Sequence, residues 1–293
     1  MIVSLSSLTI SSHLLRIHHE DMANSRFGYV RDFEEYEKLV PYSFTVVRID
    51  GQSFHRFSDI HQFEKPNDKR ALECMNSAAK FVLEEIQDVI LAFGESDEFS
   101  FLLRPQTTLY DRRKAKILTK VVSAFTSAFV YNWGRYFSTP LAYPPGFDGR
   151  TVTYPHPKHV RDYFAWRQVD THINNLYNTT FWAIVQQGGK TEREAHKILQ
   201  GTVSAEKHDI LFKEYGINYN TLDDLYKKGS ILVRIPPPMP EIPADGSYKD
   251  KKKIEKIRKD GIDGTRGPIE ILHLDIIKDT FWNDRPWLLS QLD

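Results

Sequence analysis

Two aspartates stand where phosphate chemistry would need them. Asp50 ends an apolar β-type run, Phe44-Thr-Val-Val-Arg-Ile-Asp50, and is followed by Gly51. Asp97 lies in Gly94-Glu-Ser-Asp-Glu98, between the β-type runs 89–93 and 99–103. If these runs share one sheet, both carboxylates reach the same edge, on near-neighbour strands spaced about 4.8 Å apart. Carboxylates so placed make an oxygen-rich site that takes Mg²⁺ together with substrate phosphates. Two such ions about 3.5–4 Å apart bridge the attacking and leaving oxygens of a phosphoryl or nucleotidyl transfer. The Gly51 carbonyl is a candidate further metal ligand, and Glu98 a weaker third acid. The turn Gln52-Ser53-Phe54-His55 can aim successive N–H groups at a triphosphate. Taken singly, an Asp-Gly after a strand or an Asp in a hairpin is an ordinary turn residue. Convergence on one sheet edge is what points to a metal-dependent nucleotidyl enzyme.

The elements around these residues support that convergence. Pro66-Asn67-Asp68 supplies a helix start, and Leu72, Met75, Ala79, Val82 and Ile86 follow at three- and four-residue spacing. The runs 89–93 and 99–103 read as a hairpin. A long helix is expected from Thr108 to Tyr136, with a basic start at Arg112, Arg113, Lys114, Lys116 and Lys120, and a strand at 151–154. Positive charge is unfavourable at a helix N-terminus, so its concentration there suggests a bound anion. The order β-α-β-β-α-β is ferredoxin-like, an α+β arrangement that polymerase palms use, with helices on one face of the sheet.

The second half reads differently. A long helix is expected over 158–188, then one or two more over 191–213 with a break at Gly201-Thr202. Residues 235–243 are Pro-rich and suit an extended segment. Residues 249–259 carry seven basic and two acidic side chains, a solvated loop or a phosphate contact. The apolar tail 271–293, with Trp282 and Trp287, is expected to dock back on the body. The chain thus divides into a leader at 1–21, a palm catalytic core at 22–155 and an appended, largely helical region at 156–293.

Composition sets the outer limits. The chain has 293 residues, 41% hydrophobic and 27% charged, which is globular. No apolar run approaches the roughly 20 residues of a membrane helix. Cys74 is the single cysteine, so no intramolecular disulfide and no cysteine zinc cage is possible, and it is expected to be packing. Basic and acidic residues number 39 each; zero net charge leaves room for local basic faces that meet nucleic acid. Trp133, Trp166 and Trp182 are expected in the core. The leader is Ser/Leu-rich and has no acid before Glu20. It fits an upstream start ahead of Met22, or a mitochondrial transit peptide. Cytoplasm or nucleus is the expected location, and mitochondria if the leader is a transit peptide.

Several strings carry a resemblance. They are Arg48-Ile-Asp-Gly51, Phe63-Glu-Lys-Pro-Asn-Asp68, Ala92-Phe-Gly-Glu-Ser-Asp-Glu98, His172-Ile-Asn-Asn-Leu-Tyr-Asn-Thr-Thr-Phe-Trp182, and Gly216-Ile-Asn-Tyr-Asn220 with Lys228-Gly-Ser230. From Met22 to about Arg234 the chain resembles the tRNA-His guanylyltransferases of eukaryotes, in particular the fungal ones, and His273-Leu-Asp-Ile-Ile277 also fits. The resemblance implies a palm core that adds nucleotides in the 3′-5′ direction, in a homotetramer across which tRNA-His lies. It implies adenylylation of the tRNA 5′-phosphate by ATP, attack by the 3′-hydroxyl of GTP, and removal of pyrophosphate, with two or more Mg²⁺ ions.

Residue roles implied by the resemblance follow the matching motifs. Asp50, Gly51 and Asp97 would hold Mg²⁺, with Glu98 as a further catalytic carboxylate. Asp50, Gly51, Gln52, Ser53, Phe54, His55, Ser96 and Asp97 would form the nucleotide site. Lys65, Asn67, Arg113 and Lys116 would serve the activating ATP. His172 falls in the anticodon-recognition region, while Lys207 and Asn218 match positions tied to tRNA use. Asn175, three residues from His172, shares its helical face and joins it as a tRNA contact. The leader departs from the family pattern. Two other readings compete. Gly94-Glu-Ser-Asp-Glu-Phe99 is similar to the hairpin of palm-type diguanylate cyclases, and a non-catalytic RNA-binding protein could keep the same scaffold. The Asn-rich 172–178 helix and the large second half speak against the cyclase, and the presence of both aspartates against the binding protein.

Overall fold

The computed structural model describes residues 26–235 and 267–289, with Lys251, Lys252 and Glu255 between them. The leader, the Pro-rich segment beyond Ile235, most of the Lys-rich segment and the last four residues lie outside the described residues. Residues 1–37 form one unit, whose described part carries a 3₁₀ helix at Gly28–Phe33. The other unit runs from Lys38 to Asp293 and holds every element discussed below.

Its centre is a six-stranded sheet among the described residues: β1 (Phe44–Gly51), β2 (Val89–Glu95), β3 (Glu98–Leu103), β4 (Phe147–Tyr154), β5 (Ser230–Arg234) and β6 (Ile269–Leu272). The order is β4-β1-β3-β2-β5-β6, with every neighbouring pair antiparallel. The first four strands have the ferredoxin-like order expected from the sequence. β5 and β6 were not expected. They come from the second half and extend the same sheet, so the expected boundary at 155/156 is no break in it.

Period-two alternation sorts β1 between two cores. Val47 and Ile49 face the larger core, under α2 (Lys69–Glu85) and α3 (Lys114–Tyr136). Phe44 and Val46 face a second core with Val160, Tyr163 and Phe164 of α4 (Pro157–Gln186). The expectation of helices on one face is therefore incomplete, because α4 covers much of the other. Asp68 caps α2, its Oδ1 accepting from the Arg70 N–H at 2.9 Å. Cys74 is fully buried on α2, and burial pushes its thiol up to about 12. It packs and is not a nucleophile. The helix expected from Thr108 begins only at Lys114. Tyr110, Asp111 and Arg112 adopt positive φ, and the Arg112 guanidinium turns inward to the carbonyls of Leu39, Pro105 and Thr107.

α4 is 30 residues long, about 45 Å at 1.5 Å per residue. Its first half packs on the sheet. Its second half packs through Phe181, Ala183 and Ile184 against α5 (Glu192–Leu199) and α6 (Ser204–Tyr215). One rigid element thus joins the sheet to the helical region. The tail docks as expected: Ile276, Phe281, Trp282 and Leu288 are buried in the second core, and the Trp287 indole N–H donates to the Arg234 carbonyl at 3.2 Å. None of the described helices is long and apolar enough to cross a membrane.

Candidate active site

Asp50 is the last residue but one of β1 and stands opposite Glu98, the first residue of β3, in register. Asp97 is the second residue of the two-residue turn Ser96-Asp97 joining β2 to β3. That turn is tighter than the five-residue connection read from the sequence. Ser96 takes φ 48, a left-handed conformation costly for a side-chain-bearing residue, and its Oγ donates to Asp97 Oδ1 at 3.0 Å. The Gly51 N–H donates to the Asp97 carbonyl at 3.1 Å, locking the turn to the end of β1. A Cβ on Gly51 would lie 2.9 Å from Asp97 Oδ2 and 2.4 Å from the Phe54 ring, so only glycine fits there. Burial, and then the Asp50 charge, raise the Asp97 carboxyl above the ordinary range. Two acids in mutual repulsion at a partly buried edge are a donor set that a divalent cation relieves.

Beside the pair, Ser53 takes φ 54 at the N-terminus of α1 (Phe54–Ile60), and no side chain caps the amides of that turn. Phe54 anchors the turn, stacking on Phe57 at 4.7 Å, while Gln52, Ser53 and His55 are exposed. The acids, Phe54, His55, Lys65, Asn67 and Ser96 line one cleft of about 730 Å³, which extends to Asn175 and Trp182 of α4. Lys65 Nζ lies 3.1 Å from Asp59 Oδ1 and 5.6 Å from the Trp182 ring centroid.

The residue that the sequence did not reveal is Arg167 of α4. Its guanidinium reaches Glu98 through Nε, Glu95 through Nη2 and Asp170 through Nη1, each at 2.7 Å. Burial pushes Glu95 up to about 7, against the pull of a hydrogen bond from Thr171 and of the Arg167 charge. Burial also raises Glu98, opposed by Arg167 and Arg48. Glu98 is thus held by arginine at the side of the acid pair. The signal was present in the spacing: Val160, Tyr163, Arg167, Thr171 and Asn175 recur every three or four residues and are all buried.

The comparisons with known proteins bear on this geometry. The family model described as tRNAHis guanylyltransferase matches residues 27–155, and that of the Thg1 C terminal domain matches residues 158–278. The chain is 50% identical over 267 residues to the tRNA(His) guanylyltransferase of Schizosaccharomyces pombe, covering 91% of this chain and 98% of that protein. The chain belongs to the tRNAHis guanylyltransferase family. With it, this protein is a nucleotidyltransferase. The crystal structure of the Saccharomyces cerevisiae tRNA(His) guanylyltransferase superposes with a TM-score of 0.69 at 50% identity, covering 71% of this chain and 93% of that one. A bacterial tRNA(His) guanylyltransferase (Thg1)-like protein in complex with ATP gives a TM-score of 0.57 at 25% identity, covering 77% and 86% of the two chains.

The remaining residues singled out for this guanylyltransferase family fall into two places. His172 is exposed on α4, in edge contact with Tyr219 at 5.4 Å, and Tyr219 also meets His208 of α6 at 5.2 Å. Burial, His208 and Lys227 together lower the His172 imidazole below the usual range. Asn218 is exposed beside Tyr219. Lys207 Nζ donates to the Thr202 carbonyl at 2.8 Å and lies 6.0 Å from the Tyr177 ring centroid. The helical region thus gathers these residues around one part of α4. Asn175 shares the stretch but is buried: its Oδ1 accepts from Asn67 Nδ2 at 2.9 Å and its Nδ2 donates to the Tyr219 hydroxyl at 3.0 Å. Its carboxamide joins the cleft to the helical region and presents no free edge to a base.

Arg113 and Lys116 are elsewhere. Arg113 pairs with Lys38 in an isolated bridge, next to Arg112, whose guanidinium reaches the carbonyl of Ser43 at 3.4 Å. Ser43 stands seven residues before Asp50, about 20 Å along an extended strand, and neither Arg113 nor Lys116 lines the cleft that holds the acids. Within one chain they do not join Lys65 and Asn67.

Proposed function

We propose that this protein adds a guanosine to the 5′ end of tRNA-His, at position −1, in the 3′-5′ direction. Adenylylation of the tRNA 5′-phosphate by ATP releases pyrophosphate. The 3′-hydroxyl of GTP then attacks that phosphorus and AMP leaves. Hydrolysis of the new 5′-triphosphate releases pyrophosphate and leaves a 5′-monophosphate. The observation that carries this reading is the convergence of Asp50 and Asp97 with Lys65 and Asn67 in one cleft, on a sheet whose first four strands run in the ferredoxin-like order.

Asp50, Asp97 and the Gly51 carbonyl would hold Mg²⁺, two or more ions with phosphate oxygens completing the set, and bound Mg²⁺ would acidify the 3′-hydroxyl and neutralise the triphosphate. The amides of the Ser53 turn receive phosphate oxygens, as uncapped helix starts do. Glu98, fixed by Arg167, keeps the β3 side of the acid pair in place. Lys65 brings a positive charge to the activating triphosphate. Arg113 and Lys116 can serve that nucleotide only from another subunit, which agrees with a homotetramer. His172, Lys207 and Asn218 contact tRNA-His at a distance from the acids, the histidine stacking on an unpaired anticodon base.

Incubation of 5′-monophosphorylated tRNA-His transcript with ATP, labelled GTP and Mg²⁺ tests the reaction: a labelled product one nucleotide longer at its 5′ end is expected. A cyclic dinucleotide made from GTP and Mg²⁺ alone would overturn it. Lys65→Ala tests the division of labour. It is expected to slow guanosine addition to monophosphorylated tRNA about 10- to 100-fold, as loss of a charged hydrogen-bond donor to a transferring phosphate does. Most of that rate returns on tRNA supplied with a 5′-triphosphate, where activation is bypassed. Equal defects on both substrates would remove Lys65 from the activation step.

A further inference from the structure

Two arginines stand directly opposite one another beside the acid pair. Arg48 of β1 is in register with Arg150 of β4, so both side chains leave the sheet on the face that carries Asp50. Like charges directly opposite on neighbouring strands destabilise a sheet. Intramolecular partners offset this poorly. Arg48 Nε is 3.9 Å from Glu98 Oε2, and Arg150 Nη2 is 3.7 Å from Asp148 Oδ1, both beyond hydrogen-bond reach. Arg48 Nε is buried with no hydrogen-bond partner. Trp166 of α4, expected in the core but 49% exposed, stands beside Arg48, with the Arg48 and Arg167 guanidinium carbons 5.8 Å and 4.3 Å from its ring.

A pair of cations, an orphaned donor and a half-exposed indole together suit a nucleotide: phosphate between the guanidinium groups and a base on the open part of the ring. Arg48 precedes Asp50 by two residues, about 7 Å along the strand. We propose that Arg48, Arg150 and Trp166 form a subsite for the terminal nucleotide of the RNA acceptor end, holding its phosphate and stacking its base beside the acids. This rests on the reading that the substrate is an RNA 5′ end. Free ATP or GTP offers the same chemistry, and RNA is favoured because the free nucleotides have the cleft of Lys65 and the acids, which none of Arg48, Arg150 and Trp166 lines.

Arg150 and Trp166 are surface residues, so their variants will fold. Binding of 5′-monophosphorylated tRNA-His transcript, measured without turnover, is expected to weaken about tenfold in Arg150→Ala and in Trp166→Ala. Trp166→Phe recovers most of the loss, because a phenyl ring still stacks. Arg150→Ala also flattens the log–log salt dependence by about 0.7–0.9, one phosphate contact. Affinities for GTP and ATP stay at the wild-type value. Unchanged RNA affinity and salt slope in both variants would overturn the subsite, and so would weakened GTP or ATP binding with RNA binding intact. Because these are binding measurements, they stand even if the wild type adds no guanosine, a result that would strike the proposed reaction instead.

Discussion

Asp50→Ala and Asp97→Ala are each expected to lower kcat/KM for guanosine addition by at least ~10³-fold while leaving the protein folded. Asp50 comes from β1 and Asp97 from the β2–β3 turn, so neither can stand in for the other. The stability side has a definite sign. Asp97 is held above the ordinary carboxylate range by burial and by Asp50, so its charge is a cost in the folded protein. Removing that charge relieves the repulsion, and Asp97→Asn should unfold at or above the wild-type temperature in metal-free buffer. An inactive variant with an unchanged or raised melting temperature has lost chemistry and not structure. A well-folded variant with near-normal turnover would dissolve the assignment of these residues to metal and triphosphate.

The legible parts of the site were those written in local pattern. An apolar run ending in Asp-Gly, and two β-type runs with an acid between them, give the acids' placement once the strands are ordered, and the ferredoxin-like order needs only short-range connections. What stayed hidden depends on long-range docking. β5 is five residues whose role as a strand follows from pairing with β2, more than 130 positions earlier in the chain, a contact no local window contains. Arg167 and Trp166 are adjacent on α4, yet one is buried among carboxylates and the other half-exposed. Which of them turns inward is fixed by the rotation at which α4 docks on the sheet. Asn175 shared a helical stretch with His172 as the spacing said, but three residues on a helix differ by about 60° in direction. That is enough to send one side chain to solvent and the other to Asn67. The basic start of α3 divides: Arg112 turns to backbone carbonyls and Lys120 to Glu85 at 2.8 Å, while Arg113 and Lys116 keep their proposed role toward a nucleotide.

Arg167→Met should be the most destabilising single change near the site. The arginine side chain is 8% exposed and satisfies Glu95 and Glu98, themselves 7% and 12% exposed. Methionine fills the space but leaves buried Glu95 without a counter-ion and Glu98 with only the more distant Arg48, and removing one partner of a buried pair costs about 3–5 kcal/mol. For a chain of this size that lowers the melting temperature by roughly 10 °C. Arg167→Lys keeps the charge but cannot reach three carboxylates in one plane, so it should fall between the wild type and Met. The acids predict a pH signature. Glu95 titrates at about 7 in the folded protein against an ordinary value of 4.5. The folded state therefore holds a proton that the unfolded chain releases, and the contribution of Glu95 to stability is full below pH 4.5 and is lost as pH rises through 7. Glu95→Gln imitates the protonated form. Its unfolding free energy should match the wild type near pH 4.5 and exceed it at pH 8, with the slope between those values reduced. Should the variant keep the wild-type slope, Glu95 is ionised in the fold throughout that window and the Arg167 cluster is a fully charged network.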